Sequence, residues 1–307
     1  MPESEAETET ADRERIAKVI ARAGVCSRRD AERLIAEGRV ALDGEVLTSP
    51  AIAVGPDARI TVDGTPLPTA EPPRLWRLHK PPGLLTAARD PQGRRTIYDL
   101  LPAGLPRVMP IGRLDLNSEG LLLLTNDGGL KRRLELPATG WRRRYRVRVF
   151  GQVTPADLAA LKRGVTVAGI DYGPIEARID SQQGANAWLT LTLTEGKNRE
   201  IRRVCEHLGL RVNRLIRIAY GPFQLGQLAR GALAEVPARS LAANLGLGPP
   251  AKPARGSGHA KAKPRPVKPG HKKAAQRRRT GTKAAADKPK ADSKSGGKTR
   301  AHRRRPL

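Results

Sequence analysis

Four prolines fall within ten residues at 65–74 (TPLPTAEPPR). Each fixes φ and removes a backbone donor, so neither a helix nor a central strand can run through this stretch. The chain must therefore fold as separate units joined by a semi-rigid linker. Charge sets a second boundary. Residues 249–307 hold 20 Lys and Arg, two Asp, no Glu and no aromatic residue. Such a segment has too little apolar surface to offset its ordering entropy, and a disordered Lys/Arg/Pro/Ala-rich tail is expected. The other 248 residues keep 37 basic against 28 acidic groups, a net +9 of the total +27.

These features exclude several classes. No run of about 18 apolar residues exists, so no membrane-spanning helix and no membrane partner are expected. Residues 1–12, with Glu3, Glu5, Glu7, Glu9 and Asp12, read as a disordered acidic leader rather than a secretory signal. Cys26 and Cys205 are the only cysteines, which argues against a disulfide framework and fits a reducing cytoplasm. Five scattered His and no Cys-x-x-Cys give no basis for a metal site.

Residues 13–64 read as a compact α/β unit. Ile16, Val19, Ile20 and Ala23 recur at helical spacing, and Gly24 stops that helix. Ser27 with Asp30 is a capping signature for a second helix striped by Ala31, Leu34 and Ile35. Asp43-Gly44 marks a hairpin turn between Val40–Leu42 and Val46, and Ile60 and Val62 make a last strand. Residues 75–248 form the larger unit. Leu75–His79, Tyr145–Phe150, Ile175–Asp180 and Trp188–Thr194 alternate with period two. Leu121–Leu124 read as a buried strand, with Asn126-Asp127-Gly128 closing it as a turn. Helices are expected after Thr154-Pro155-Ala156-Asp157 and over Asn198–Leu208, stopped by Gly209. Trp188 and Cys205 read as structural side chains. Strands without a regular βαβ rhythm imply α+β with a mostly antiparallel sheet.

The basic balance points to nucleic acid, because each Lys or Arg placed on a phosphate releases counterions. In the small unit, Lys18, Arg22, Arg28 and Arg29 decorate two short helices. A solvated surface explains those charges equally well on that segment alone. The stretch RIAKVIARAGVCSRRDAERLIAEGRVALDGEVL resembles the S4 RNA-binding domain, which implies that this face meets structured RNA.

The segment MPIGRLDLNSEGLLLLTNDG (109–128) carries the chemistry. Gly112-Arg113-Leu114-Asp115 puts an acid beside an arginine in a loop flanked by a strand. On its own this is as easily an aspartate satisfying loop amides. The wider pattern is more specific. Leu78-His79-Lys80-Pro81-Pro82-Gly83, Gly112–Asp115 with Ser118-Glu119-Gly120-Leu121-Leu122, Arg144-Tyr145-Arg146-Val147 and Thr194-Glu195-Gly196-Lys197-Asn198-Arg199-Glu200-Ile201-Arg202-Arg203 resemble the motifs of the RsuA-like RNA pseudouridine synthases. Arg214-Leu215-Ile216-Arg217-Ile218 is most similar to the RluB subgroup, which implies 23S ribosomal RNA as substrate at the RluB-type site, uridine 2605.

That resemblance assigns Asp115 as the catalytic aspartate, Tyr145 as the active-site tyrosine and Arg202 as its basic partner. Lys80, Arg113, Lys197, Asn198 and Arg199 become candidates for contacts to a flipped nucleotide. Isomerising uridine moves one glycosidic bond from N1 to C5 and oxidises nothing, so no cofactor is expected. The reaction does need an ionised carboxylate in a pocket that excludes water, and a permanently protonated guanidinium beside it suits that need. Attack on the ribose, a glycal-type intermediate and addition to the base all remain open. A monomer with no protein partner is expected. The principal alternative is a non-catalytic S4-domain RNA-binding or ribosome assembly factor. A chromatin-type DNA-binding protein explains the tail but not the body.

Overall fold

A computed structural model of the chain describes residues 13–246. The acidic leader and the basic tail lie outside those residues. The small unit has helices α1 (Ile16–Arg22) and α2 (Arg28–Ala36), preceded by Glu14–Arg15, which pair antiparallel with Ala53–Val54. Ser27 caps α2 as its sequence demands: its hydroxyl accepts from the Asp30 amide at 3.1 Å and donates to the Asp30 carboxylate at 2.7 Å. Strands β1 (Val40–Leu42), β2 (Glu45–Val46), β3 (Ile60–Val62) and β4 (Thr65–Pro66) form an antiparallel sheet in the order β2-β1-β3-β4. Asp43 and Asp63 both take φ of 50°, each followed by glycine, and make the two tight hairpin turns. The second hairpin draws residues 65 and 66 out of the expected linker and into the sheet. Pro66 is tolerated because β4 is an edge strand. Ile16, Ile20, Ala31, Ile35 and Val40 are completely buried between helices and sheet.

The large unit is a nine-stranded, mostly antiparallel sheet. In chain order it contains β5 (Leu75–Lys80), β6 (Met109–Ile111), β7 (Glu119–Thr125), helix α3 (Gly128–Glu135), β8 (Arg143–Phe150) and helix α4 (Pro155–Ala160). The hairpin of β9 (Val165–Val167) and β10 (Ile170–Tyr172) stands apart as its own two-stranded sheet. Next come β11 (Ile175–Gln183), β12 (Asn186–Leu193), helix α5 (Glu200–His207), β13 (Arg211–Tyr220), β14 (Phe223–Gln224), β15 (Leu233–Glu235) and helix α6 (Ala238–Asn244). The main path runs β11-β12-β8-β13-β7-β5-β15, with β6 on β7 and β14 on β13. Within this sheet, β7 and β13 alone pair in parallel among the described residues.

Strand β7 explains its own sequence. A run of four leucines cannot alternate, so both faces must be covered. Leu122 and Leu124 join one apolar cluster with Tyr145 and Val147, while Leu121 and Leu123 join another with Ile111 and Tyr220. All four are fully buried, each contributing about 2 kcal/mol of apolar transfer.

Two expectations change. Asn126-Asp127-Gly128 does not end in a turn; the Asp127 carboxylate accepts from the Leu130 amide and caps α3. Two glycines at its start had hidden that helix. Trp188 is half-buried on the sheet face away from the core, beneath the Arg146 guanidinium at 4.5 Å. The alternation places it there: Leu189, Leu191 and Leu193 take the core side.

Candidate active site

One row of register partners runs across the sheet. Lys80 on β5 faces Gly120 on β7, Gly120 faces Arg217 on β13, and Arg217 faces Tyr145 on β8. A register shift opposite Arg144 and Tyr145 leaves Ile218 as the extra residue on β13 beside this row. Gly120 is required in the row. Its φ is +105°, and a Cβ there would stand 2.3 Å from the Arg217 carbonyl oxygen. The glycine lets β7 and β13 approach where the Asp115 loop enters.

That loop rests on two buried cations. Lys80 is fully buried, and its ammonium donates to the carbonyls of Ser118 at 2.8 Å, Pro81 and Asp115 at 3.1 Å, and Leu116 at 3.4 Å. Burial pushes this lysine down to about 8, with Arg217 adding to the effect and Asp115 and Glu119 opposing it. Lys80 therefore holds the loop from beneath. This corrects its expected contact with RNA, because no path leads from its ammonium to a phosphate. Arg217 is 2 % exposed, donates to the Leu121 carbonyl at 2.7 Å and reaches the Arg113 carbonyl at 3.4 Å. Its Nη2 is buried without a partner. Neither cation forms an ion pair with a carboxylate among the described residues, so positive charge lies beneath the Asp115 loop.

Above the loop opens a cleft of about 990 Å³. Asp115, Arg113, Tyr145, Lys197, Asn198 and Arg199 line it together. Asp115 is half-buried and Tyr145 is 9 % exposed, so the cleft holds an accessible acid and a largely buried aromatic ring. Arg202 stands at the same loop but does not form the expected ion pair. Its Nη2 donates to the Asn117 carbonyl at 3.1 Å and its Nη1 reaches the Val212 carbonyl at 3.4 Å. Burial lowers its proton affinity, the Arg199 charge adds to that, and the Asp115 charge opposes it. Its Nε is buried and unpartnered.

The cleft loop differs from the expected helix start. Arg199 takes φ of 51°, a left-handed conformation that costs about 1 kcal/mol in a non-glycine residue. Helix α5 therefore begins at Glu200, and Lys197 and Asn198 belong to the loop. Lys197 is already engaged: it pairs with Glu195 at 3.0 Å and bonds the Asp171 carbonyl. Asn198 and Arg199 remain exposed.

Glu200 is an addition that sequence reading did not supply. It is 3 % exposed; one carboxyl oxygen accepts from the Lys197 amide at 2.8 Å and the other is buried without a partner. Burial, reinforced by the Glu195 charge, raises it to about 7. Burial also acts to raise Glu195, but the Gly173 amide, the Lys197 ammonium and a hydrogen bond from Glu200 outweigh it and hold Glu195 below the usual range. Glu200 therefore keeps its proton to higher pH than an ordinary carboxylate, beside an ionised Glu195. Arg217 was equally unforeseen, although alternation along Leu215–Ala219 turns it inward with two apolar neighbours. Cys205 is 2 % exposed and burial pushes its thiol up to about 12, so it is structural as expected.

In the small unit, Lys18 and Arg22 both pair with Glu14, whereas Arg28 and Arg29 are exposed in the first turn of α2. Among the described residues, no group of His, Cys, Asp and Glu is arranged to hold a metal ion, and no helix is long and apolar enough to cross a membrane.

An acid on a cation-supported loop, a tyrosine in the same cleft and a basic rim are arranged to act on a polyanion. Comparison with known proteins agrees. The RNA pseudouridylate synthase profile matches residues 74–207 and the S4 domain profile matches residues 14–60. The chain belongs to the RNA pseudouridine synthases and is an enzyme of that class. It is 48 % identical over 223 residues to an uncharacterized RNA pseudouridine synthase of Rickettsia felis, covering 73 % of this chain and 96 % of that one. It is 42 % identical over 233 residues to the ribosomal large subunit pseudouridine synthase B of Salmonella typhi, covering 73 % and 79 %. A crystal structure of a pseudouridylate synthase superposes with a TM-score of 0.51 at 26 % identity, over 72 % of this chain and 95 % of that one.

Proposed function

We propose that this enzyme converts one uridine of large-subunit ribosomal RNA to pseudouridine in the cytoplasm, at the RluB-type site, uridine 2605. The observation that carries the reading is Asp115 in a basic cleft, on a loop held by Lys80 and Arg217. Similarity to the Salmonella typhi relative, named for the large ribosomal subunit, supports the substrate.

Asp115 is the group that acts on the ribose, by attack at C1′ or by assisting departure of the base. The N1–C1′ bond breaks, the base turns, C5–C1′ forms, and the C5 proton is lost while N1 gains one. Tyr145, which lines the same cleft, packs on the base and offers its hydroxyl for proton transfer. Arg202, with Lys80 and Arg217, keeps positive charge around the acid. Arg113, Asn198 and Arg199 hold the flipped nucleotide and its flanking phosphates, and Arg28 and Arg29 extend the contact through the small unit. Residues 249–307 add affinity without sequence preference.

The test is carbodiimide mapping of 23S ribosomal RNA after incubation with the protein. A new stop at that uridine supports the reading, and its absence from bare and subunit-assembled RNA alike rejects it.

A further inference from the structure

The sheet has a second charged face that the catalytic cleft does not use. Along β8, Tyr145, Val147 and Val149 turn inward, so Arg144, Arg146 and Arg148 turn outward, and all three are exposed. They stand roughly 7 Å apart in one line, close to the phosphate-to-phosphate step of an extended nucleic-acid strand. Neighbouring β12 gives this face Trp188, Thr190 and Thr192, opposite Arg148, Arg146 and Arg144 respectively. A groove of about 610 Å³ opens here, lined by Arg142, Arg144, Lys162 and Arg178 against one acid, Glu176.

Few acids offset these cations. Glu176 pairs with Arg142, and Asp180 is shared by Arg178 at 3.1 Å and Arg146 at 3.9 Å. Arg144 bonds only the neutral Gln224 side chain at 2.8 Å, and Arg148 makes no ion pair among the described residues. Two aromatic rings are interleaved with the cations. Arg146 stacks on Trp188 at 4.5 Å, and Arg211 lies over Phe150 at 5.1 Å, with Phe150 43 % exposed. A face of stacked guanidinium groups and open phosphate-spaced cations offers little to an apolar partner. Its charge and rings suit one polyanion with planar bases.

We propose that this face is a second RNA-binding surface, which takes the extended backbone of a strand outside the modified site. The inference rests on the family's activity on RNA and is independent of which RNA is modified. The test uses the full chain carrying Arg144→Gln, Arg146→Gln and Arg148→Gln together. Two labelled probes are titrated: a short hairpin able to fill only the cleft, and a long single-stranded ribosomal RNA fragment. Affinity for the long fragment should fall at least about tenfold, and its salt slope should drop by about 2, the share of three phosphates on a single strand. Affinity for the hairpin should stay within about twofold and the thermal midpoint should not move. Ultraviolet cross-linking of the unmodified protein to the long fragment should label peptides containing Phe150 or Trp188. Unchanged affinity for both probes, equal loss on both, or cross-links confined to cleft peptides would each overturn the proposal.

Discussion

The ammonium of Lys80 donates to the main-chain carbonyl of Asp115 at 3.1 Å. A lysine with no access to solvent thus fixes the backbone of the half-buried acid that lines the cleft. This places Lys80 among the positioning residues. Lys80→Met keeps the volume but leaves the carbonyls of Pro81, Asp115, Leu116 and Ser118 without their donor. Relief of the buried charge offsets part of that loss. The expected result is about 2 kcal/mol of lost stability in urea unfolding, with kcat falling at least about a hundredfold and KM changing little.

Gly120→Ala is expected to be among the most damaging single changes. Its Cβ would meet main-chain atoms of Arg217 at 2.3 and 2.7 Å, and φ of +105° is strained for any L side chain. Strand β7 would have to separate from β13 at the row carrying Lys80, Arg217 and Tyr145. A loss of about 3 kcal/mol or more is expected, seen as a lowered thermal midpoint. Activity should fall even in the fraction that remains folded.

The Glu195–Glu200 pair makes stability depend on pH. Glu200 is raised to about 7 in the folded protein and returns to the ordinary carboxylate range on unfolding. Between those values the folded state holds a proton that the unfolded state has released, so stability falls as pH rises toward and through 7. Glu200→Gln keeps the side chain's size without the titration. Its thermal midpoint should therefore decline less than the parent's between pH 5 and 8. Parallel curves would show that Glu200 does not hold its proton in the folded state.

Much of this architecture was legible because period-two alternation is a strong signal wherever one sheet face is buried. Strands β8, β11 and β12 follow the alternating segments read from the sequence, and the leucine run of β7 reads as buried because it cannot alternate. The Ser27 and Thr154 caps were visible because a cap is a local hydrogen-bond problem solved by local residues. What escaped depends on long-range placement. Lys80 looks like a phosphate ligand until β5 is seen to bury it. Arg202 matches the basic partner in its motif, yet in this structure it binds the Asn117 carbonyl instead of the Asp115 carboxylate. Arg217 and Glu200 gain their roles from neighbours almost a hundred residues distant or across a turn, which no local pattern reveals. Helix α3 was hidden by its glycine-rich start.

Asp115→Asn tests the central claim most directly. The amide preserves the side chain's size and leaves Lys80 and Arg217 on their backbone carbonyls, while removing the negative charge. Single-turnover conversion of a uridine-containing ribosomal RNA fragment should drop below detection, while fluorescence anisotropy gives an RNA affinity within about threefold of the parent. Pseudouridine formation by the asparagine variant at a tenth of the parent rate or more would contradict the account, because the chemistry would then not depend on that carboxylate.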